Sequence, residues 1–132
     1  MVVDTKMRIL VVDDYANVRR VIKNILNHIG FESIAEADNG VNAMHILKIQ
    51  DIDLVICDWN MPVMSGLELL QWVRRHDEFN ELPFLMVTAE AHKENVLQAL
   101  TAKASGYIIK PFTANILRQK IMDIFMDSQP IR

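Results

Sequence analysis

Five short apolar runs, each separated from the next by a stretch of helical periodicity, set the tightest limit on how this chain can fold. The runs are "MRILVV" (7–12), "ESIAEA" (32–37), which is the weaker strand signal, "DLVIC" (53–57), "PFLMVT" (83–88) and "GYIIK" (106–110). Each has the length of a strand rather than a helix and is bounded by turn or charged residues. After the first run, Val18, Val21, Ile22, Ile25, Leu26 and Ile29 recur at the spacing of one helix face, and Gly30 ends the pattern. Asn39-Gly40 is a turn signal before a helix from Val41 to Ile49. Ser65-Gly66 opens another helix through about Arg75. Lys93 to Ala102 reads as a fourth helix. Thr113 caps a fifth, which carries Leu117, Ile121, Ile124 and Phe125.

The order is strand then helix, five times. Continuously apolar strands are buried on both faces, which requires a parallel sheet with helices on both sides. Right-handed crossovers leave few layouts. The expected fold is α/β: a doubly wound, five-stranded parallel sheet of strand order 2-1-3-4-5, the flavodoxin-like (βα)5 arrangement, as one domain over residues 1–132. Hydrophobic residues make up 51% of the chain, enough for such a core. The net charge of −3 gives no general attraction to nucleic acid or to an anionic membrane. Cys57 is the single cysteine, so neither an intrachain disulfide nor a thiolate metal cluster can form. No run approaches the ~18 apolar residues of a membrane span, and the first residues are not those of a signal peptide. A monomer in a reducing, cytoplasmic setting is expected.

In this strand order, ligands gather at the carboxyl ends of the strands. Strand 1 ends at Asp13 and Asp14, strand 3 at Asp58, strand 4 at Thr88 and strand 5 at Lys110. Each has a plain explanation alone. Asp14 suits a helix cap, Asp58 an exposed loop, Thr88 a strand and Lys110 a solvated surface. Together, four separate strands deliver three carboxylates, a hydroxyl and an ammonium to one rim. Two carboxylates ~5 Å apart repel by roughly 3 kcal/mol at an effective dielectric of ~20. Three of them need a cation, a proton or a lysine. An oxygen-only ligand set suits a hard cation such as Mg²⁺, which also pairs with phosphate oxygens.

The stretches "VVDD", "DWNMP…SGLELL", "LMVTAEA", "KEN" and "SGYIIKPFTA" resemble the receiver domain of two-component response regulators, and within it the single-domain chemotaxis regulators of CheY type. The likeness runs from about Met7 to Phe125. It implies that Asp58 accepts a phosphoryl group from the phosphohistidine of a sensor histidine kinase (CheA type) or from a small phosphodonor. It implies that Asp14, Asp58 and the backbone carbonyl of Asn60 bind Mg²⁺, with Asp13 acting partly through water. Lys110 would pair with a phosphoryl oxygen and Thr88 would donate a hydrogen bond to another. By the same resemblance the Lys110-Pro111 bond is cis, Thr88 and Tyr107 form the switch, and Asn60 and Glu90 gate the water that removes the phosphoryl group. A CheZ-type phosphatase would use that entrance. Trp59 is read as packing beside the site and as a fluorescence reporter of metal.

The implied partner face is helix 4, strand 5 and helix 5. Ala91, Lys93, Tyr107, Phe112, Thr113 and Lys120 follow the motor-binding pattern of the family. Leu100, Lys103 and Asp123 depart from it, standing where alanine, glycine and lysine are usual. "YAN" (15–17) also departs from the usual residues after the acid pair. Two outputs therefore stay open: the flagellar motor switch protein FliM, or another role such as a phosphate sink. The rival class is an enzyme, a Mg²⁺-dependent phosphatase with an aspartyl-phosphate intermediate. Such enzymes carry Asp-x-Asp after strand 1 with the nucleophile first, whereas the pair here is adjacent, so a non-enzymatic signalling module is expected. The histidines His28, His45, His76 and His92 are scattered and read as surface or packing residues. Arg74 and Arg75 read as a solvated helix face, and Arg19 as positive potential near the acidic rim.

Overall fold

A computed structural model describes residues 4–89 and 92–127. The elements alternate as β1 (Ile9–Val12), α1 (Ala16–Ile29), β2 (Ile34–Ala37), α2 (Gly40–Ile49), β3 (Leu54–Asp58), α3 (Gly66–Arg75), β4 (Phe84–Thr88), α4 (Lys93–Thr101), β5 (Gly106–Ile109) and α5 (Ala114–Asp127). The strands form one sheet in the order β2-β1-β3-β4-β5, every pair parallel. The expected fold is therefore the observed one.

Strand periodicity divides the core into two layers. Ile9 and Val11 of β1, Ile56 of β3, Leu85 and Val87 of β4 and Ile108 of β5 face α1 and α5, meeting Ile22, Leu26, Leu117 and Ile121. Leu10 and Val12, Val55 and Cys57, and Phe84 and Met86 face the other way, onto α2, α3 and α4 through Leu47, Leu69, Leu70, Val73 and Ala99. β1, β3 and β4 are buried at every position, as continuous apolar strands require.

The helix ends follow the sequence signals. Gly30 closes α1 with φ 125, a left-handed conformation that glycine adopts without steric cost. The Asn39 side chain caps α2 by accepting from the Asn42 N–H at 2.8 Å. Ser65 and Glu68 form a reciprocal capping box at the start of α3. The Thr113 hydroxyl accepts from the Ile116 N–H at 3.2 Å.

Two readings need correction. Val21 shares the apolar spacing of α1 but is 56% exposed, because only part of that stripe reaches the sheet. Arg74 is not solvated. Its guanidinium donates to the carbonyl oxygens of Leu82 (2.6 Å), Lys103 (3.0 Å) and Asn80 (3.3 Å). It thereby ties the end of α3 to the loop before β4 and the loop after α4, and burial pulls its pKa below the ordinary arginine value. α4 is the least embedded helix: Ala99 is its one buried residue, while Leu97 and Leu100 are exposed.

Candidate functional site

Four strands converge at the carboxyl edge of the sheet and bring the predicted polar residues together. Asp13 follows β1, Asp58 and Thr88 close β3 and β4, and Lys110 follows β5. Three polar side chains at this edge are buried: Asp13, Asp58 and Thr88 are 1%, 8% and 0% exposed. Carboxylate oxygens of Asp13, Asp14 and Asp58 lie within 4.8 Å of one another. The Lys110 Nζ sits between two of them, 3.1 Å from Asp58 Oδ1 and 3.2 Å from Asp13 Oδ2.

Burial, then the neighbouring Asp13 charge, raises the Asp58 pKa, and the Lys110 ammonium opposes both. Burial alone would lower the Lys110 pKa, but Asp58 and Asp13 outweigh it, so the net shift is upward and the ammonium stays charged. Burial raises the pKa of the Cys57 thiol well above its ordinary value, with Asp58 and Asp13 adding to it. That thiol instead donates to the Asp58 carbonyl at 3.2 Å.

The loops hold this constellation in place. The Asp13 carboxylate accepts from the Tyr15 N–H at 2.9 Å, which turns the chain into α1. Arg19 donates to the Asp13 carbonyl at 2.6 Å and pairs with Glu36 at 3.2 Å, so its charge does stand beside the acidic rim. The Lys110 N–H donates to the Thr88 carbonyl at 2.7 Å, which fixes the lysine against β4, and the Lys110-Pro111 bond is cis.

One lysine cannot neutralise three carboxylates. Asp14 Oδ1 is buried and has no hydrogen-bond partner among the described residues. A buried carboxylate oxygen left unpaired is costly. Its position within the Asp13–Asp14–Asp58 cluster gives the natural partner as a cation bound by oxygen atoms. The donor set is all oxygen, so the residues fit Mg²⁺.

The switch candidates lie on neighbouring strands, Thr88 ending β4 and Tyr107 on β5 opposite Met86. Tyr107 is half-buried against the α2–α3–α4 layer, and its ring meets Trp59 edge-on with centroids 6.3 Å apart. Trp59 is the residue after Asp58. No sequence pattern signals this contact, because Trp59 follows β3 and Tyr107 lies on β5, with β4 between them in the sheet. Asn60 is exposed at the mouth of the site. Glu90 and Ala91 lie outside the described residues. On the expected partner face, Lys93, Leu100, Lys103, Thr113 and Asp123 are exposed and Lys120 is half-buried. Phe112 packs instead with the α1–α5 layer and borders a groove lined by Val18, Val21 and Ile22. Lys103 takes φ 67, and the N–H groups of Lys103 and Ala104 close the end of α4 on the carbonyls of Leu100 and Ala99.

The sequence profile of the response regulator receiver domain matches residues 9–122. The chain belongs to the response regulator receiver family. Within it the chain is of CheY type. It is 46% identical to chemotaxis protein CheY-3 of Vibrio cholerae over 124 residues, 94% of this chain and 95% of that one. It is 47% identical to chemotaxis protein CheY of Pseudomonas aeruginosa over 119 residues, 90% and 96% of the two chains. Among solved structures, CheY4 of Vibrio cholerae matches with a TM-score of 0.83 at 28% identity, over 90% of this chain and 98% of that one. The response regulator TrrA of Thermotoga maritima, in complex with Mg²⁺ and BeF, matches with a TM-score of 0.79 at 34% identity, over 89% and 98%. Among the described residues, no helix is long and apolar enough to cross a membrane.

Proposed function

We propose that this receiver is a phosphorylation switch of chemotaxis signalling in which Asp58 is the acceptor. The observation that carries the reading is the Asp13–Asp14–Asp58 cluster with Lys110 on two of its members and a buried oxygen of Asp14 unpaired. An Asp58 carboxylate oxygen attacks the phosphorus of a phosphohistidine on a CheA-type kinase. The new P–O bond forms as the P–N bond breaks, and the imidazole leaves with the electron pair. Asp13, Asp14 and Asp58, with the Asn60 carbonyl, would hold Mg²⁺, which when bound offsets the charge on the transferring phosphoryl group.

Lys110, already placed between two carboxylates, moves its pairing to a phosphoryl oxygen as a compact point charge. The Thr88 hydroxyl at the end of β4 donates to another oxygen. The Trp59–Tyr107 edge contact then carries the change from the acceptor's neighbour to the half-buried tyrosine on β5. Asn60 and Glu90 control the water that hydrolyses the aspartyl phosphate, and a CheZ-type phosphatase acts there. The setting proposed is the cytoplasm, with the chain acting as a signalling module and not as an enzyme.

The resolving experiment counts turnovers. With excess acetyl phosphate and Mg²⁺, a signalling module takes up one phosphoryl group per chain and releases phosphate slowly. Rapid multiple turnover of small phosphate esters would support the Mg²⁺-dependent phosphatase instead. For the output, exposed Leu100 and Asp123 favour a CheY paralogue with a partner other than FliM.

A further inference from the structure

We propose that Val63 is the apolar contact on which the phosphohistidine-bearing protein seats itself, an inference that rests on the receiver function above. Val63 is the central residue of a γ-turn: its φ is 70, and the Met64 N–H donates to the Pro62 carbonyl at 2.8 Å. Such a turn is strained, and a β-branched residue is among the least suited to it. The side chain is also 93% exposed. An asparagine would relax the backbone and suit water equally well. Neither folding nor solvation favours valine here, and an unfavourable backbone conformation kept beside a reactive site points to function.

The mount beneath Val63 is stiff. The Gly66 N–H donates to the Trp59 carbonyl at 2.8 Å and closes the loop, while Ser65 and Glu68 lock the start of α3. The Met64 side chain lies over Gly40, where an added Cβ would come within 2.5 Å of its sulfur. Residues 61–64 are apolar throughout, with Pro62 and Val63 exposed. Loops beside polar sites are ordinarily polar, and runs of exposed apolar residues are avoided unless they are used. A fixed apolar knob loses little conformational freedom when it is covered.

The occupant follows from position. The loop starts directly after Asp58 and its tip stands five residues away. A phosphohistidine side chain is short, so the surface carrying it must come down over this rim to reach the acceptor. A small phosphodonor reaches Asp58 without covering Val63.

The experiment compares the two donors. A radiolabelled phosphohistidine-bearing domain of a CheA-type kinase, and acetyl phosphate, are each offered to wild type, Val63→Asn and Val63→Ile. Val63→Asn is expected to lower kcat/KM for the protein donor about tenfold, the size of a lost interface anchor. It should leave acetyl-phosphate labelling unchanged and raise Tm by about 3–5 °C as strain is released. Val63→Ile should keep the protein-donor rate. Equal protein-donor rates in wild type and Val63→Asn would overturn the proposal. So would an equal loss with both donors, which would place the effect on the chemistry instead of the docking. Failure of wild type to label with acetyl phosphate would refute the receiver reading itself, and this inference with it.

Discussion

At the scale of single residues, charge decides the behaviour of the site. Asp58 faces two carboxylates within 4.8 Å, each a repulsion of at least about 3.5 kcal/mol at an effective dielectric of 20. The Lys110 ammonium at 3.1 Å returns about 5 kcal/mol on the same scale. Burial is the largest influence on Asp58, and with the neighbouring carboxylate it outweighs the lysine. Without metal, Asp58→Asn is therefore expected to stabilise the fold by about 1–2 kcal/mol, read as a higher urea midpoint. The raised Asp58 pKa fixes how this varies with pH. The folded state holds the Asp58 proton more tightly than the unfolded chain, whose carboxyl has the ordinary value of 3.8. The stability from that proton is complete below 3.8 and is lost as pH rises through the raised folded value. The advantage of Asp58→Asn should thus be large at neutral pH and fade towards pH 4. Lys110 titrates above 10.5 and leaves this window untouched. Lys103 offers a second residue-level test. With φ 67 after α4, Lys103→Gly should gain about 1 kcal/mol, measured by thermal unfolding.

At the scale of elements, the β3–α3 junction is the tightest. A Cβ at Gly66 would collide with the Asp58 carbonyl oxygen, a backbone atom that cannot swing aside. Gly66→Ala should cost about 1–3 kcal/mol and weaken metal binding, because α3 would be pushed off the Asp58 backbone. Arg74→Ala should cost about 2–3 kcal/mol, whereas Arg75→Ala, on the exposed side of the same helix, should stay within about 0.5 kcal/mol. Chemical denaturation of the three variants separates these outcomes. This pair also marks the limit of sequence reading. The central strands and the residues at their ends were legible because continuous apolar runs admit one burial pattern, and the strand order because right-handed crossovers leave few layouts. Arg74 was not, since its partners are loop carbonyls that carry no side-chain signature. Val21 was not, since periodicity gives the direction of a stripe but not its width. The unpaired oxygen of Asp14 and the Trp59–Tyr107 contact depend on side-chain placement between elements that are distant in sequence. The strain at Val63 lies in a loop where pattern says nothing about φ.

At the scale of the whole molecule, the fold carries its instability at one edge. Two apolar layers hold the sheet, while the carboxyl ends of β1 and β3 crowd negative charge that only a cation, a proton or Lys110 can offset. Ligand linkage then requires Mg²⁺ to raise Tm, by an amount set by the logarithm of its concentration over Kd. The gain should largely vanish in Asp58→Asn, and Trp59, buried beside Asp58, should report the same binding by fluorescence. The most direct test of the account is intact-protein mass spectrometry after treatment with acetyl phosphate and Mg²⁺. The account predicts the mass of one added phosphoryl group on wild type and none on Asp58→Asn. Equal labelling of the variant, or no labelling of wild type, would contradict it.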